Sequence, residues 1–207
     1  TRPPVLGSDV VSVDDAKARK IAGVVDIITL PVPKGAPLFQ ALGGVAVIAT
    51  NSWSAIEARK ALAITWSESV KDSHDSDVYL KGLVERVKLP GKVIRQLGTS
   101  VTDWPAEHTL SAVYTVPYLT HAMMEPPVAT ANVTADGCEL WASSQTPQST
   151  QQNVAGALGL KEEQVKVNVT LLGGGFGRKS KPDFSVEAAI LSQKLNKPVK
   201  VWLLPCH

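Results

Sequence analysis

The feature that most constrains this chain is a glycine-rich stretch, GGGFGRK, at residues 173–179. Four of its first five residues are glycine, and it stands between an apolar run at 165–172 and a helical pattern that opens near Pro182. Glycine has no Cβ and adopts positive φ readily, so main-chain N–H groups here can approach a bound group closely. The order strand, glycine turn, helix therefore predicts a binding turn in an α/β sheet.

Three cations, Arg178, Lys179 and Lys181, follow the glycines at the predicted start of that helix. The positive end of a helix dipole disfavours cations, so we infer an anion nearby, and a phosphate would serve. Two known phosphate loops fail on spacing. A dinucleotide fingerprint counted from Gly173 has Arg178 in place of its third glycine, and a P-loop needs glycine before Lys179. A purely structural glycine turn is the plain alternative.

The whole chain excludes several other classes of protein. Its net charge is +2 over 207 residues, with scattered basic residues, so no nucleic-acid partner is expected. No apolar run approaches the roughly 18 residues of a membrane span. Cys138 and Cys206 form no C-x-x-C pair and are interpreted as ordinary thiols. The histidines lack zinc-ligand spacing, so no metal held directly by side chains is predicted.

In the first third of the chain, the patterns predict a small α/β module. Ser12 with Asp15 fits a capping box and predicts a short helix to about Ile21. Strands are predicted at 24–30, 45–50 and 64–66. A helix is predicted at 53–62, with Asn51 or Ser52 as its cap and with Ile56 and Ala63 on its inner face.

Residues 67–105 look like a linker in which only 79–87 has helical periodicity. The elements predicted after it are a strand at 108–116, a hairpin at 133–141 with an Asp-Gly turn, a strand to Ser144, a helix at 147–158 closed by Gly159, a strand at 165–172, a helix at 182–195 and a strand at 199–203. Strands alternating with helices predict crossover units of one sheet. Gln145 would then share a sheet edge with the glycine stretch, although by itself it is more typical of a loop or capping residue. For His121, Met123 and Met124 the default interpretation is a buried histidine and methionines that fill the core.

Three segments resemble one known family: Tyr118 to Pro126 with its His-Ala-Met-Met-Glu-Pro core, Trp141 to Gln148, and Leu172 to Lys179. They are similar to the molybdopterin-binding large subunit of molybdenum hydroxylases, the xanthine dehydrogenase and aldehyde oxidase family. The glycine stretch is most similar to that of isoquinoline 1-oxidoreductase β subunits and related membrane-linked aldehyde dehydrogenases. The resemblance implies a mixed α+β and α/β fold: a partial α/β hammerhead domain at 1–66, a linker at 67–105, and the N-terminal part of the cofactor-binding domain at 106–207.

The resemblance also implies a site and its chemistry. The implied cofactor-binding residues are Gln145, Gly173, Gly174, Gly175, Phe176, Gly177 and Arg178. The cofactor would be molybdenum–molybdopterin, in the cytosine dinucleotide form, with no metal ligand from the protein. The implied partners are a small [2Fe-2S] subunit and the rest of the large subunit, and the implied substrate is an aldehyde or N-heterocycle oxidised with water as the oxygen source.

Two of the departures from the family pattern bear on function. Xanthine-dehydrogenase-like members carry a glutamate where this chain has Ser180, which favours the aldehyde or N-heterocycle branch. The general-base glutamate has no counterpart, since neither Glu125 nor Glu187 matches its motif; we therefore expect a fragment with no catalytic residue, inactive alone. A non-catalytic α/β remnant or binding domain is the alternative, and a nucleotide-binding domain is less favoured. A periplasmic or membrane-associated location is favoured by the subgroup, with a cytoplasmic one open.

Overall fold

The computed structural model describes residues 1–33, 35–69, 71–100 and 103–203, so Cys206 lies outside the described part. The chain forms two compact units. One contains Thr1–Asp72 together with the chain from His121 onward, and the other contains Ser73–Thr120. The domain boundaries expected near residues 66 and 105 remain predictions.

The first unit begins with two small antiparallel sheets. Strand β1 (Val10–Asp14) pairs with β4 (Ala63–Trp66), and β2 (Val24–Leu30) pairs with β3 (Gly44–Ala49). Helix α1 (Ser52–Ala61) precedes β4 directly. β2, β3, α1 and β4 confirm the predicted elements to within one or two residues, because β-branched runs and a capping residue decide them locally. Asn51 is that cap, and its Oδ1 accepts a hydrogen bond from the Ser54 amide at 2.9 Å.

Two predictions in this region were wrong. The helix expected from Ser12 is strand β1, followed only by a 3₁₀ turn at Ala18–Lys20. Valines at 10, 11 and 13 favour a strand, and pairing with β4 outweighs the capping-box pattern. Ala63 is not on the inner face of α1, since that helix ends at Ala61 and Ala63 is an exposed residue of β4.

The second half of this unit is built on a four-stranded sheet of order β7–β6–β5–β8. Its strands are β5 (Val128–Thr134), β6 (Gly137–Ala142), β7 (Val165–Val169) and β8 (Val199–Trp202). β5 and β6 form the predicted hairpin, while β6 and β7 are parallel and β5 and β8 antiparallel. Three strands therefore run in one direction and β5 runs against them.

Two helices connect the parallel strands of this sheet. α3 (Pro147–Leu158) joins β6 to β7, and α4 (Asp183–Leu195) joins β7 to β8. Gly159 caps the end of α3 with φ of 69°, a conformation that glycine adopts without strain. Nine residues of α4 are buried, and Phe184 and Leu191 lie in the core with at most 2% exposure. Burial of side chains of this size stabilises the fold by about 1.5–3 kcal/mol each, which makes α4 the central helix.

The second unit contains little regular structure. Its helix α2 (Ser76–Arg86) confirms the predicted helical periodicity but buries no residue, and a 3₁₀ turn follows at Ala106–His108. The strand expected at 108–116 was wrong: these residues pair with no neighbour in the described chain, and Leu110 is 96% exposed. An alternating pattern needs a partner strand to become a sheet. No helix in the described ranges is both long and apolar enough to cross a membrane.

Candidate functional site

Three segments of the first unit meet at one edge of the four-stranded sheet. The parallel strands β6 and β7 end there and lead into residues 143–146 and 170–177. β5 runs the opposite way, so the residues that precede it, including Glu125, reach the same edge. Parallel pairing of β6 and β7 confirms that Gln145 shares an edge with the glycine stretch.

Gln145 contacts the glycine stretch through both its side chain and its main chain. The Gly177 amide donates to Gln145 Oε1 at 3.1 Å, and the Gln145 amide donates to the Lys179 carbonyl at 3.2 Å. The neighbouring Thr146 hydroxyl donates to the Ser180 carbonyl at 2.8 Å. These bonds fix the end of the loop against the segment that follows β6.

The glycines at 173 and 175 are needed because neighbouring side chains approach them closely. A Cβ on Gly173 would lie 2.6 Å from Glu125 Cβ, and one on Gly175 would lie 2.5 Å from Gln145 Oε1. Real Cβ atoms do not come so close to such atoms, so any side chain here would displace Glu125 or Gln145.

Gly174 and Gly177 are needed for their backbone conformation instead. Both have φ of 90°, and Phe176 between them has φ of 50° although it is not glycine. A Cβ on Gly177 would meet nothing within 4 Å, so one side of the loop is open. Strained residues of this kind often occur where a loop is shaped for a ligand.

The middle of the loop leaves main-chain donors free. Among the described residues, the amides of Gly174, Gly175 and Phe176 donate to no protein acceptor, whereas those on either side donate to Glu125 and Gln145. Successive amides in a turn form a concave site for anionic or oxo groups. The Phe176 side chain is 71% exposed, so it does not close this site.

Two of the three cations after the glycines, Arg178 and Lys179, have carboxylate partners. Arg178 donates to both oxygens of Asp183 at 2.9 and 2.8 Å, and Asp183 is fully buried. Lys181 has its pKa lowered by burial. Arg178 and Lys179 are therefore neutralised within the chain and require no external anion. The sequence analysis did not identify Asp183. The signal was an acidic residue at the start of a predicted helix, where the helix dipole favours negative charge.

Glu125 is the second residue at this edge of the sheet that the sequence did not identify. Its Oε2 accepts hydrogen bonds from Lys179 Nζ and from the Gly173 amide, the latter at 2.9 Å. Its own amide donates to the Gly173 carbonyl at 3.1 Å. Burial raises the pKa of Glu125, but the hydrogen bonds from Lys179 and the Gly173 amide, together with the charge of Lys179, outweigh this and hold the pKa below its usual value.

The default interpretation of the segment around Glu125 was wrong. His121 is exposed, so it is not a buried histidine. Met124 is 93% exposed, so it does not fill the core. The segment reaches the sheet edge because it leads into β5. Only the topology of the sheet, not a local pattern, could have identified Glu125.

A second ion-pair cluster lies beside Arg178. Arg2 donates to both oxygens of Glu187 at 2.7 and 2.9 Å and to Asp183 Oδ2 at 3.3 Å. Burial raises the pKa of Glu187; Arg2 partly offsets this, and the negative charge of Asp183 adds to it. The cluster joins the N-terminal segment to α4 next to the glycine stretch.

Residues 100–204 match the family model of the molybdopterin cofactor-binding domain, which is about half of the chain. This chain belongs to that family. The resemblance inferred from its sequence motifs is thereby confirmed.

Curated relatives extend the match over almost the whole chain. The β subunit of isoquinoline 1-oxidoreductase from Brevundimonas diminuta is 29% identical over 212 residues, covering 96% of this chain and 25% of the relative. A membrane-bound aldehyde dehydrogenase [pyrroloquinoline-quinone] from Gluconacetobacter polyoxogenes is 31% identical over 207 residues, covering 97% and 26%. The chain thus spans about a quarter of the length of these relatives.

Solved structures confirm the predicted fold. Quinoline 2-oxidoreductase from Pseudomonas putida 86 aligns with a TM-score of 0.63 at 19% identity, over 97% of this chain and 30% of that one. The aldehyde oxidoreductase of Desulfovibrio gigas aligns with a TM-score of 0.58 at 17% identity, over 95% and 25%. The chain therefore has the mixed helix and sheet fold of part of these large subunits.

The described residues fit a molybdopterin cofactor. Such a group presents oxygen acceptors, and the loop offers three successive amides without protein acceptors beside an open Gly177. Donors placed about 3 Å from such oxygens stabilise charge there.

Proposed function

We propose that this chain forms one side of the molybdopterin site in a molybdenum hydroxylase large subunit, and that it holds the cofactor through Gln145 and the glycine stretch. The observation that carries the proposal is the bond from the Gly177 amide to Gln145 Oε1, next to three amides that have no acceptor among the described residues. Two segments that are 32 positions apart in sequence thus present donors at one sheet edge.

Each residue has a definite task in this proposal. Because Gln145 Oε1 accepts from Gly177, its Nε2 group is the part that can donate to an oxygen of the bound group. The amides of Gly174, Gly175 and Phe176 donate to further oxygens, and Arg178 supports the loop through Asp183. When bound, the cofactor supplies the redox chemistry and an activated water, and the protein supplies orientation.

The finer functional assignments belong to the same proposal. The substrate is an aldehyde or an N-heterocycle, which the names of the curated relatives and Ser180 support. Electrons from the oxidation pass to a small [2Fe-2S] subunit, and the remainder of a large subunit completes the site. The cofactor is the cytosine dinucleotide form, and the location is periplasmic or membrane-associated.

The test is the metal content of the purified protein from a host that makes the cofactor. We expect molybdenum by mass spectrometry and cytidine monophosphate after acid release. Gln145→Ala removes one hydrogen-bond partner, and Gly175→Ala displaces the Gln145 side chain, so each should lower the molybdenum per chain about tenfold. Glu57→Ala, which breaks an exposed ion pair with Lys60, is the matched control and should retain the metal.

Three results would contradict the proposal: no molybdenum in the unaltered chain, equal molybdenum in all variants, or a bound quinone in its place. A quinone would point to the cofactor named for the second relative.

We further propose that the chain alone is inactive, because its sequence contains no match to the general-base glutamate. Loaded protein should give no turnover of an aldehyde or isoquinoline with an electron acceptor. Turnover by the pure chain would overturn this part of the proposal without affecting cofactor binding.

A further inference from the structure

We propose that Glu125 and Lys179 form a positioning pair that holds the glycine stretch in its ligand-binding conformation; this inference rests on the proposed function. Neither residue would touch the cofactor. Both act through Gly173, the first residue of the stretch.

Glu125 binds both main-chain polar groups of Gly173. Its amide donates to Glu125 Oε2 at 2.9 Å, while its carbonyl accepts from the Glu125 amide at 3.1 Å. Main-chain and side-chain bonds to one residue thus set the direction in which the loop leaves the sheet. The three amides that follow donate to no acceptor in the part of the chain that the structure describes.

Lys179 makes this arrangement possible from the other end of the loop. Its side chain is fully buried, and its Nζ donates to the same Oε2 atom that accepts from Gly173, while the Glu125 side chain is 30% exposed. A buried ammonium requires a counter-charge, so Lys179 holds the Glu125 carboxylate in place. The carboxylate in turn connects the two ends of the loop, 173 and 179.

The charge and the hydrogen-bond acceptor can be separated experimentally. Glu125→Gln/Lys179→Met removes both charges and keeps a carbonyl oxygen for the Gly173 amide. Glu125→Ala/Lys179→Met also removes both charges and leaves no acceptor. Replacement of a buried ion pair by neutral groups is often tolerated, so both double variants should fold. They differ only at position 125, where Gln offers an oxygen to the Gly173 amide and Ala offers none.

The first readout is amide hydrogen exchange of the peptide that covers residues 170–177, measured without cofactor. We expect the Gln/Met variant to exchange as the unaltered protein does, and the Ala/Met variant to exchange about tenfold faster in this peptide. α3 and α4 should be unchanged in both. Equal exchange in the two variants would overturn the positioning role, and so would a change that spreads to the helices.

The second readout is molybdenum per chain, which a merely structural role would leave alike in the two variants. We expect the Gln/Met variant to retain the metal content of the unaltered protein and the Ala/Met variant to lose most of it. Faster exchange with no loss of metal would overturn the role in cofactor binding. If the unaltered chain holds no molybdenum, the proposed function fails, while the exchange experiment still decides whether the pair positions the loop.

Discussion

Glu125 and Glu187 both accept hydrogen bonds from a cation near the glycine stretch, yet their pKa values shift in opposite directions. Burial is the largest influence on each and raises the pKa. At Glu125, hydrogen bonds from Lys179 and the Gly173 amide outweigh it, and the pKa is lowered. At Glu187, burial is deeper, and the charge of Asp183 acts against the charge of Arg2, so the pKa is raised.

The difference shows that an ion pair does not by itself say which form of an acid the fold favours. The Glu125 side chain is 30% exposed and the Glu187 side chain 7% exposed, so water stabilises the charge of the first far more. Glu125 is suited to hold a loop at the surface. Glu187 belongs to a cluster that joins Arg2 to α4 in the interior.

The largest expected effect comes from Asp183→Ala in the inner cluster. Asp183 is fully buried between Arg178 and Arg2, so its removal leaves two guanidinium groups without a shared acceptor. We expect a loss of about 3–5 kcal/mol in the free energy of unfolding, measured by urea denaturation. Glu57→Ala at an exposed ion pair should lose no more than about 1 kcal/mol. Similar losses in the two variants would mean that the inner cluster contributes little.

The second prediction tests the opposite shifts through the pH dependence of stability. A lowered pKa means that the contribution of Glu125 is present above about pH 4.3 and is lost as pH falls through the lower folded value. A raised pKa means that the contribution of Glu187 is present below that pH and is lost as pH rises.

Urea unfolding of Glu125→Gln and Glu187→Gln between pH 3 and 7 should therefore give opposite trends. The Glu125 variant should be less stable than the unaltered protein at neutral pH, and this difference in the free energy of unfolding should shrink as the pH falls. The Glu187 variant should gain stability as pH rises above about 4.3, the usual glutamate value. If the free energies of unfolding of the two variants changed with pH in the same direction, the two glutamates would not have oppositely shifted pKa values.

Local chemistry explains which parts of the fold were predictable from sequence. Helix α3 was predicted to the residue because Pro147 at its start and Gly159 after its end act within one turn. The strand expected at 108–116 and the helix expected from Ser12 failed for the converse reason: the presence or absence of a distant pairing strand decided both. Strand pairing cannot be read from one segment alone.

The candidate site divides in the same way. Gln145 and the glycine stretch were identified because both follow strands, and parallel strands bring their ends together. Glu125 was missed because its link to Lys179 joins residues 54 positions apart and depends on the reversed direction of β5. The sequence around a carboxylate does not indicate which distant residue it will bind.

The smallest expected effect concerns Cys138, where burial acts with no partner to offset it. The Cys138 side chain is 3% exposed, and burial raises its thiol pKa to about 11, whereas Glu125 gains hydrogen bonds that reverse the same influence. About one thiol per thousand would then be ionised at pH 8, and the thiolate is the reactive form. In a Cys206→Ser background, a disulfide reagent should therefore label Cys138 only after denaturation. Rapid labelling of the native protein would show that burial does not raise the pKa of the Cys138 thiol. The opposite pKa shifts of the two glutamates would then need a cause other than burial.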